Sequence, residues 1–288
     1  AKKVMEGTGM DQMLEDYGVA IVDFNEGSTV SYPQGYTAKE FFLAKPVQET
    51  DALINLCKMK THALERVTGG VKNLYGCISG LHKAKGHTKY TNADIFARQL
   101  IDLNQLIKPR FCVMDGIVAM DGNGPTSGDP VKMKVLLLGN DPVAIDSVYC
   151  HLVHLDPQMV PTNVHGETMG LGTWREENIR LLTDGGEITM QEAVERFGNP
   201  DFNVDRKKQR GNLWNRFNNG FLRYFQKKPY IEEDKCKKCG ICVEACPVEG
   251  KALQFKNGRR KPPVYNYHKC IRCFCCQEMC PHKAIQVK

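Results

Sequence analysis

The residues best suited to chemistry are eight cysteines near the end of the chain, in two runs that repeat each other at an offset of 34 positions. Each run reads C-x2-C-x2-C-x3-C-P, and the runs are Cys236, Cys239, Cys242 and Cys246, then Cys270, Cys273, Cys276 and Cys280. Thiolates at this spacing hold four-iron, four-sulfur (4Fe-4S) clusters, and the fourth cysteine of each run serves the other run's cluster. The sequence therefore predicts two 4Fe-4S clusters, one held by Cys236, Cys239, Cys242 and Cys280 and the other by Cys246, Cys270, Cys273 and Cys276.

Two other uses of cysteine fit the pattern less well. Structural zinc sites usually need only paired C-x2-C knuckles, and disulfide frameworks are typical of short secreted chains. Cys275, beside Cys276, permits a shifted reading of the second run, but only Cys276 preserves both spacings. We therefore interpret Cys275 as a spare thiol. The stretch Asp234–Lys288 resembles a two-cluster bacterial ferredoxin, which implies a small α+β domain there.

Length and charge indicate what surrounds this module. A chain of 288 residues is long enough for about two domains. Residues 229–288 contain 12 Lys and Arg against 6 Asp and Glu, which leaves 27 of each sign in the rest of the chain. A basic module suits an acidic redox partner, because complementary charge speeds and orients association. The same charge could instead offset the anionic clusters, and both interpretations stay open.

The sequence also bears on location. It contains no apolar run of about eighteen residues, so we expect no membrane span. Free thiols beside oxygen-sensitive clusters favour a reducing cytosol. The chain opens at Ala1 without an initiator Met, so it is either processed or numbered from partway through a longer protein. Nothing in the sequence indicates an oligomeric state.

The first two hundred residues alternate helical and strand patterns, which favours an α/β domain with a mostly parallel sheet. Helix Met10–Tyr17 and buried strand Val19–Phe24 are predicted first. A later apolar run, Ala52–Leu56, ends in a polar cluster that contains Lys60 and His62. In open α/β sheets ligands bind at the carboxyl edge of the strands, so these side chains are candidates for an anion site. Alternatively the lysine is solvated and the histidine caps a helix.

Further candidates come from the segments that follow. Lys72 and Asn73 lie in a probable helix, Asp115 interrupts an apolar strand at 111–119, and Asp121 and Asn123 lie in a glycine-rich loop. Successive glycine amides can cradle an anion, although this loop matches no phosphate-binding motif and could be only a tight connection. Asp141 and Pro142 open a helix as N-cap and first residue. Asp146, one turn later, could point back to the loop or be solvated.

Four segments in order, LCKMKTH, TGGVKNLYG, DGIVAMDGNGPTSG and GNDPVAIDS, resemble the landmarks of domain-of-unknown-function family 362, whose members are often fused to ferredoxin modules. The resemblance covers about residues 1–197 and implies an α/β iron-sulfur protein without implying its reaction. Two departures stand out: a Lys-Pro-Asn landmark near the start of the family is not found, and Cys57 stands where proline is usual.

The predicted organisation is an α/β domain at 1–203 that lacks its N-terminal start, a helical linker at 204–229 and a ferredoxin-like domain at 230–288. The linker interleaves basic with aromatic residues at helical spacing. These are Lys207, Lys208, Arg210, Arg216, Arg223, Lys227 and Lys228, with Trp214, Phe217, Phe221, Tyr224 and Phe225. Such a helix could lie on an acidic membrane surface, bind a partner or, more commonly, pack on its own domain. As a nucleic-acid signal it is weak, and we expect no nucleic-acid partner.

Three functions are compatible with these residues. The first is an electron-transfer protein whose clusters relay single electrons to or from the α/β domain or a docked redox partner. The second is an iron-sulfur oxidoreductase that reduces an anionic small molecule, with Lys60 and Lys72 holding the anion and His62 donating a proton. Its remaining candidates would orient the ligand or bind a metal ion, and they are Asn73, Asp115, Asp121, Asn123 and Asp146. The third is a binding or assembly protein with structural clusters.

Overall fold

A computed structural model describes residues 5–7, 9–79, 82, 86, 89–90, 92–207, 227–256 and 258–288 of the chain. The helices in these residues are α1 (Met10–Asp16), α2 (Lys45–Glu49), α3 (Gly70–Asn73), α4 (Ala93–Ile107), α5 (Pro142–Leu152), α6 (Pro161–Thr168), α7 (Met190–Phe197), α8 (Ile241–Glu244) and α9 (Cys275–Glu278). The strands are β1 (Gly27–Ser31), β2 (Glu40–Ala44), β3 (Ile54–His62), β4 (Arg66–Thr68), β5 (Phe111–Asp121), β6 (Asp129–Val131), β7 (Val135–Gly139), β8 (Leu181–Thr183), β9 (Gly186–Ile188), β10 (Pro229–Ile231), β11 (Leu253–Gln254), β12 (Val264–Tyr265) and β13 (Ile285–Val287).

The central sheet of the N-terminal region is mixed. Its order is β4-β3-β5-β6, with β7 also paired to β5, and only the β3–β5 pair is parallel. The expectation of a mostly parallel sheet is therefore not confirmed. The reason lies in the connections: α3 and α4 give the long crossover that parallel strands need, whereas short turns link β3 to β4 and β5 to β6.

The helices pack on one face of this sheet. Alternation along β3 puts Cys57 and Met59 in the core, where they meet residues of β5 and of α5. The Cys57 thiol lies 3.8 Å from the Cys112 sulfur and is buried, so it faces this core. Helix α5 begins as the sequence predicts, with the Asp141 carboxylate accepting hydrogen bonds from the amides of Val143 and Ala144.

The opposite face of the sheet is exposed among the described residues. It carries apolar side chains of β3, β5 and β7, namely Ile54, Leu56, Phe111, Ile117, Leu136 and Leu138. Lys58 and Lys60 follow on the same side of β3, because alternate residues of a strand share a face. The polar cluster that the sequence places after a strand therefore lies within the strand itself.

The predicted helix at Met10–Tyr17 is present as α1 and is followed by Gly18, whose φ of 66° lies in the left-handed region that glycine adopts readily. The predicted buried strand at Val19–Phe24 is wrong: the segment forms no strand and its side chains are exposed. An apolar pattern becomes a buried strand only where a neighbouring strand and a core accept it, and neither is present beside this segment in the described residues.

Most of the predicted basic and aromatic linker, residues 208–226, lies outside the described residues. The segments that flank it meet: the Lys227 ammonium lies 2.5 Å from Asp205, and the Arg66 guanidinium donates to the carbonyls of Asp205 and Lys207. In the C-terminal region β10 pairs with β13 and β11 with β12, both antiparallel. This small ferredoxin-type region, residues 227–288, is called the module below.

Candidate iron-sulfur site and its docking surface

The module contains two cysteine-lined cavities of similar size. The first takes its thiols from Cys236, Cys239, Cys242 and Cys280. The second takes them from Cys246, Cys270, Cys273 and Cys276. In each cavity three cysteines come from one run and the fourth from the other. These are the two sets that the crossed spacing rule assigns to the clusters.

A repeated backbone turn produces this arrangement. Lys238 and Gly240 have positive φ values of 56° and 89°, and the equivalent residues of the second run, Arg272 and Phe274, have values of 58° and 60°. Each left-handed pair bends the chain between successive cysteines, and a one-turn helix follows, α8 in the first run and α9 in the second. The turns direct three thiols of each run into a single cavity.

The electrostatics of the cavities suit a positively charged metal cluster. Burial, together with repulsion from the neighbouring Cys280, Cys239 and Cys236, raises the pKa of Cys242 to about 12. Four such thiols can ionise together only when cations compensate their charge. Within the described part of the chain, no three His, Cys, Asp or Glu side chains converge closely enough for a single metal ion. The thiols surround a space instead, which fits a cluster better than one zinc.

Polar hydrogens also approach the sulfur atoms. The Ala252 amide donates to Cys246 Sγ at 3.3 Å, and the Tyr265 hydroxyl lies 3.2 Å from Cys276 Sγ. Hydrogen bonds to cluster sulfurs are among the factors that set a reduction potential. Cys275 lines neither cavity. Its buried thiol is hydrogen-bonded to Cys273, consistent with a thiol that is not a ligand.

The module docks on the glycine-rich loop that follows β5. The fully buried Gln277 donates from Nε2 to the carbonyl of Asn123 at 2.9 Å and to the carbonyl of Gly124 at 3.0 Å. Asn123 in turn donates from Nδ2 to the carbonyl of Ile285 at 2.9 Å. The Thr126 hydroxyl donates to the Glu278 carbonyl, and Lys283 donates to the carbonyl of Gly128. The module therefore occupies the carboxyl edge of β3 and β5, where open sheets usually bind ligands.

His62 joins the docking surface through its ring. The amides of Leu64 and Glu65 donate to Nδ1, so the ring proton lies on Nε2, which donates to the Glu278 carboxylate at 2.8 Å. Burial and the nearby Lys72 lower the pKa of His62, although Glu278 opposes the shift. The ring is therefore neutral near pH 7. Its Nε2–H, which the suggested proton-donor role would use, is engaged with the module.

Lysines gather beside this contact. Burial lowers the pKa of Lys60, and repulsion from Lys58 and Lys72 lowers it further, so the three ammonium groups lie near one another. Lys58 is paired with Asp115 at 2.6 Å. Partial burial pushes the pKa of Asp115 upward, but the hydrogen bonds from Lys58 and the Ile117 amide outweigh it and the pKa is lowered. Within the described residues neither Lys60 nor Lys72 forms an ion pair.

The other candidates lie apart from this group. Asn73 donates to the Asn55 side chain and the Leu56 carbonyl, which fastens α3 to β3. Asp121 accepts from the Asn203 amide. Asp146 is buried, and accepts from the amides of Gly70 and Val71, at 2.6 Å and 3.1 Å. Burial raises the pKa of Asp146 to about 7 even though both amides oppose the shift. It therefore neither points to the Asp121 loop nor is solvated.

Sequence reasoning missed three residues near the docking surface. Gln277 and Glu278 occupy positions between cysteines of the second run, where the spacing pattern accepts any residue. The third is Glu65, which is fully buried, and neither carboxylate oxygen has a hydrogen-bond partner in the described part of the chain. Burial raises the pKa of Glu65 to about 8, with Lys72 opposing. In the sequence, the only indication of a role for Glu65 was its position three residues after His62.

A mixed-sheet domain with a cysteine-rich ferredoxin-type module docked on its edge defines an iron-sulfur protein. Comparison with known families agrees: residues 228–281 match the family described as 4Fe-4S dicluster domain. Residues 1–151 match the family described as Domain of unknown function (DUF362). The chain belongs to this DUF362 family.

A relative gives a second comparison. The chain is 35% identical over 191 residues to a protein of Synechocystis sp. named "Thylakoid-associated protein", and the match covers 66% of this chain and 59% of the relative. The chain thus spans less than two thirds of the length of this relative. No helix in the described residues is both long and apolar enough to cross a membrane.

Proposed function

We propose that the chain is a two-cluster electron relay that exchanges single electrons between a redox partner protein and the N-terminal domain. The observation that carries the proposal is the pair of cavities, each surrounded by four thiols from both runs. Bound 4Fe-4S clusters would supply the one-electron chemistry. The first cluster would be held by Cys236, Cys239, Cys242 and Cys280, and the second by Cys246, Cys270, Cys273 and Cys276.

The remaining residues support this role by position. Apolar side chains such as Leu253 and Ile285 pack around the cavities and limit the access of water to the sulfurs. The bonds from Gln277 to the Asn123 loop and from His62 to Glu278 hold the second run against the N-terminal domain. A fixed separation favours transfer within the chain over transfer by chance encounter.

Metal content tests the relay. Protein purified without oxygen should contain about eight irons and about eight acid-labile sulfides per chain, and strong low-potential reductants should produce the electron paramagnetic resonance signals of reduced clusters. Zinc in place of iron, or far fewer irons, would contradict the proposal. Clusters that bind but resist every reductant would favour the third hypothesis, that of structural clusters in an assembly protein.

A second function is favoured by the lysines beside the module. Neither Lys60 nor Lys72 forms an ion pair in the described residues, and the pKa of Lys60 is lowered because burial and the like charges of Lys58 and Lys72 disfavour its charged form. An anion placed between them would relieve that repulsion. The alternative function is therefore an iron-sulfur oxidoreductase that reduces an anionic small molecule held by these lysines.

Substituting Met for Lys72 or Lys60 tests this alternative, because Met keeps most of the side-chain length and removes the charge. Inorganic phosphate, used as the probe in calorimetry, should bind about tenfold more weakly to each variant, which corresponds to about 1.4 kcal/mol. Lys132→Met, on an exposed turn, is the matched control. Equal phosphate affinity in the wild type and all three variants would remove the anion site and leave the relay untouched.

The compartment is also part of the proposal. All thirteen cysteines are free of disulfides in the structure, and clusters of this kind require reducing conditions, so we propose a cytoplasmic location. Because one relative is named for thylakoid association, membrane fractions are the samples in which this location should be tested. Recovery of the native protein mainly with washed membranes would contradict a freely cytoplasmic location.

A further inference from the structure

We infer that the rim of the first cavity is the docking surface for an acidic one-electron carrier protein. The inference rests on the proposed relay and specifies which cluster exchanges electrons with the outside. The surface consists of Lys237, Lys238 and Arg259 around the partly exposed residues Cys236 and Cys239. These three basic residues are called the basic rim.

The basic rim lies directly at the cavity. Lys237 and Lys238 line it together with Cys236 and Cys239. The Arg259 guanidinium lies above Gly240, because a Cβ added to that glycine would be 3.1 Å from Nη2. A cation–π contact with the Phe255 ring, 5.8 Å from its centroid, helps to hold the guanidinium there.

This part of the module is also the more accessible one. Two of the four cysteines that line the first cavity, Cys236 and Cys239, are partly exposed, whereas Cys273 alone is partly exposed among the four that line the second. The N-terminal domain contacts the module through Gln277, Glu278, Lys283 and Ile285, none of which belongs to the basic rim. No described hydrogen bond or ion pair joins the basic rim to that domain, so the docked arrangement leaves it available to a second protein.

The charge of the basic rim is unbalanced. Among the described residues, none of its three members forms an ion pair, while Lys235 nearby is already paired with Glu232 at 2.6 Å. Arg260 and Lys261 continue the positive surface next to Arg259 and are exposed. Two exposed acids, Glu233 and Asp234, stand at the start of the run, and a bound cluster with its four thiolates would add about two negative charges. The five basic residues still leave a positive excess. A carrier with an acidic surface around its own redox centre is the partner that this charge selects.

The test uses the full-length, cluster-loaded protein and a flavodoxin with an acidic surface as the probe. Lys237→Glu with Arg259→Glu reverses two charges of the basic rim. Arg110→Glu with Lys132→Glu makes the same change of charge at exposed positions of the N-terminal domain and is the matched control. Calorimetry measures binding of the two oxidised proteins, and stopped-flow absorbance measures the second-order rate of reduction by flavodoxin hydroquinone.

The wild type and the control should bind flavodoxin with affinities that fall as ionic strength rises. The rim variant should bind at least about tenfold more weakly at low salt and react at least about tenfold more slowly, since charge complementarity changes association rates by about 10 to 1000-fold. If charge reversal lowers the cluster absorbance, the neutral variant Lys237→Gln with Arg259→Gln is used in its place, and Arg110→Gln with Lys132→Gln is its control. The neutral rim variant should show a smaller loss of affinity and rate in the same direction.

Two outcomes would overturn the inference. One is equal affinity and rate in the wild type and the rim variant; the other is an equal loss in the rim variant and the control, which would show that only total charge matters. Failure of the relay itself is distinguishable. If the chain has no reducible clusters, reduced methyl viologen will not bleach the cluster absorbance of the wild type or of any variant. If the relay is correct but uses another surface, methyl viologen will bleach the cluster absorbance of the wild type and of every variant.

Discussion

Replacing Cys280 with Ala is expected to remove the cluster of the first cavity, although Cys280 belongs to the second run. Cys280 lines the first cavity with Cys236, Cys239 and Cys242. Three remaining thiols hold a 4Fe-4S cluster less firmly than four, so the iron content of isolated protein should fall from about eight to about four per chain. Cys246→Ala should cause the mirror-image loss from the second cavity.

Double variants show which cavity has lost its cluster. If Cys280 and Cys236 serve the same cluster, Cys280→Ala with Cys236→Ala should lose no more iron than Cys280→Ala alone. Cys280→Ala with Cys270→Ala should lose nearly all of it. If instead the variant with Cys236→Ala loses nearly all its iron and the variant with Cys270→Ala loses only half, each run holds its own cluster. Equal losses of iron in the two double variants would also contradict the crossed arrangement.

Cys275 provides the matched control for these variants. It is a buried cysteine of the same run, but it lines neither cavity and its thiol is hydrogen-bonded to Cys273. Cys275→Ala should therefore keep about eight irons. A loss of half the iron in this variant would show that the shifted reading of the second run is the correct one.

The cysteine runs predicted most about the site, because ligand spacing is a local property of the chain. The turns at Lys238 and Gly240, with their equivalents Arg272 and Phe274, follow from the same repeat. Predicting the crossed sets of thiols also required a general rule about two-cluster modules. The spacing within a single run does not contain that information. The α/β landmarks identified the family but indicated a different kind of sheet, because strand direction depends on which strands become neighbours.

The candidate anion site was harder to predict, because its members are brought together by tertiary structure. Lys60 and Lys72 meet because α3 lies along the edge of β3. Asp146 resembles a site carboxylate in the sequence, yet it accepts the amides that open α3. Asn123 lies in a glycine-rich loop that suggested an anion, and the structure shows the module's Gln277 at that loop. The sequence pattern does not distinguish a polar side chain that bonds to another part of the protein from one that binds a ligand.

Replacing Gln277 with Ala is expected to release the module from the N-terminal domain without removing a cluster. The Gln277 side chain is fully buried, and its Nε2 donates hydrogen bonds to Asn123 Oδ1 and to the carbonyls of Asn123 and Gly124. Its loss leaves the buried Gly124 carbonyl and the two partly buried Asn123 acceptors without this donor, at a cost of about 3 kcal/mol. The population of undocked molecules should therefore rise about 100-fold.

Hydrogen exchange measures this change directly. The amides of the loop at 122–128, where only Pro125 has none, should exchange faster in Gln277→Ala, because in the wild type the docked module holds this loop in place through its carbonyls. Gln254→Ala is the matched control, since that exposed side chain bonds only to Gly250 and Lys251 within the module. Should Gln277→Ala disturb the neighbouring Cys276, Asn123→Ala breaks the same contact from the other side, through its lost bond to Ile285.

Electron transfer decides whether the contact has a functional role. If the docked arrangement sets the distance between the module and the lysine group, undocking should slow reduction of any acceptor bound at Lys60 and Lys72 while small mediators still reduce the clusters at the wild-type rate. Faster hydrogen exchange with unchanged transfer to such an acceptor would mean that the contact only stabilises the fold. Because Gln277 lies between two of the proposed cluster ligands and also bonds to the loop after β5, a single side chain links the geometry of the proposed cluster site to the position of the domain that it would serve.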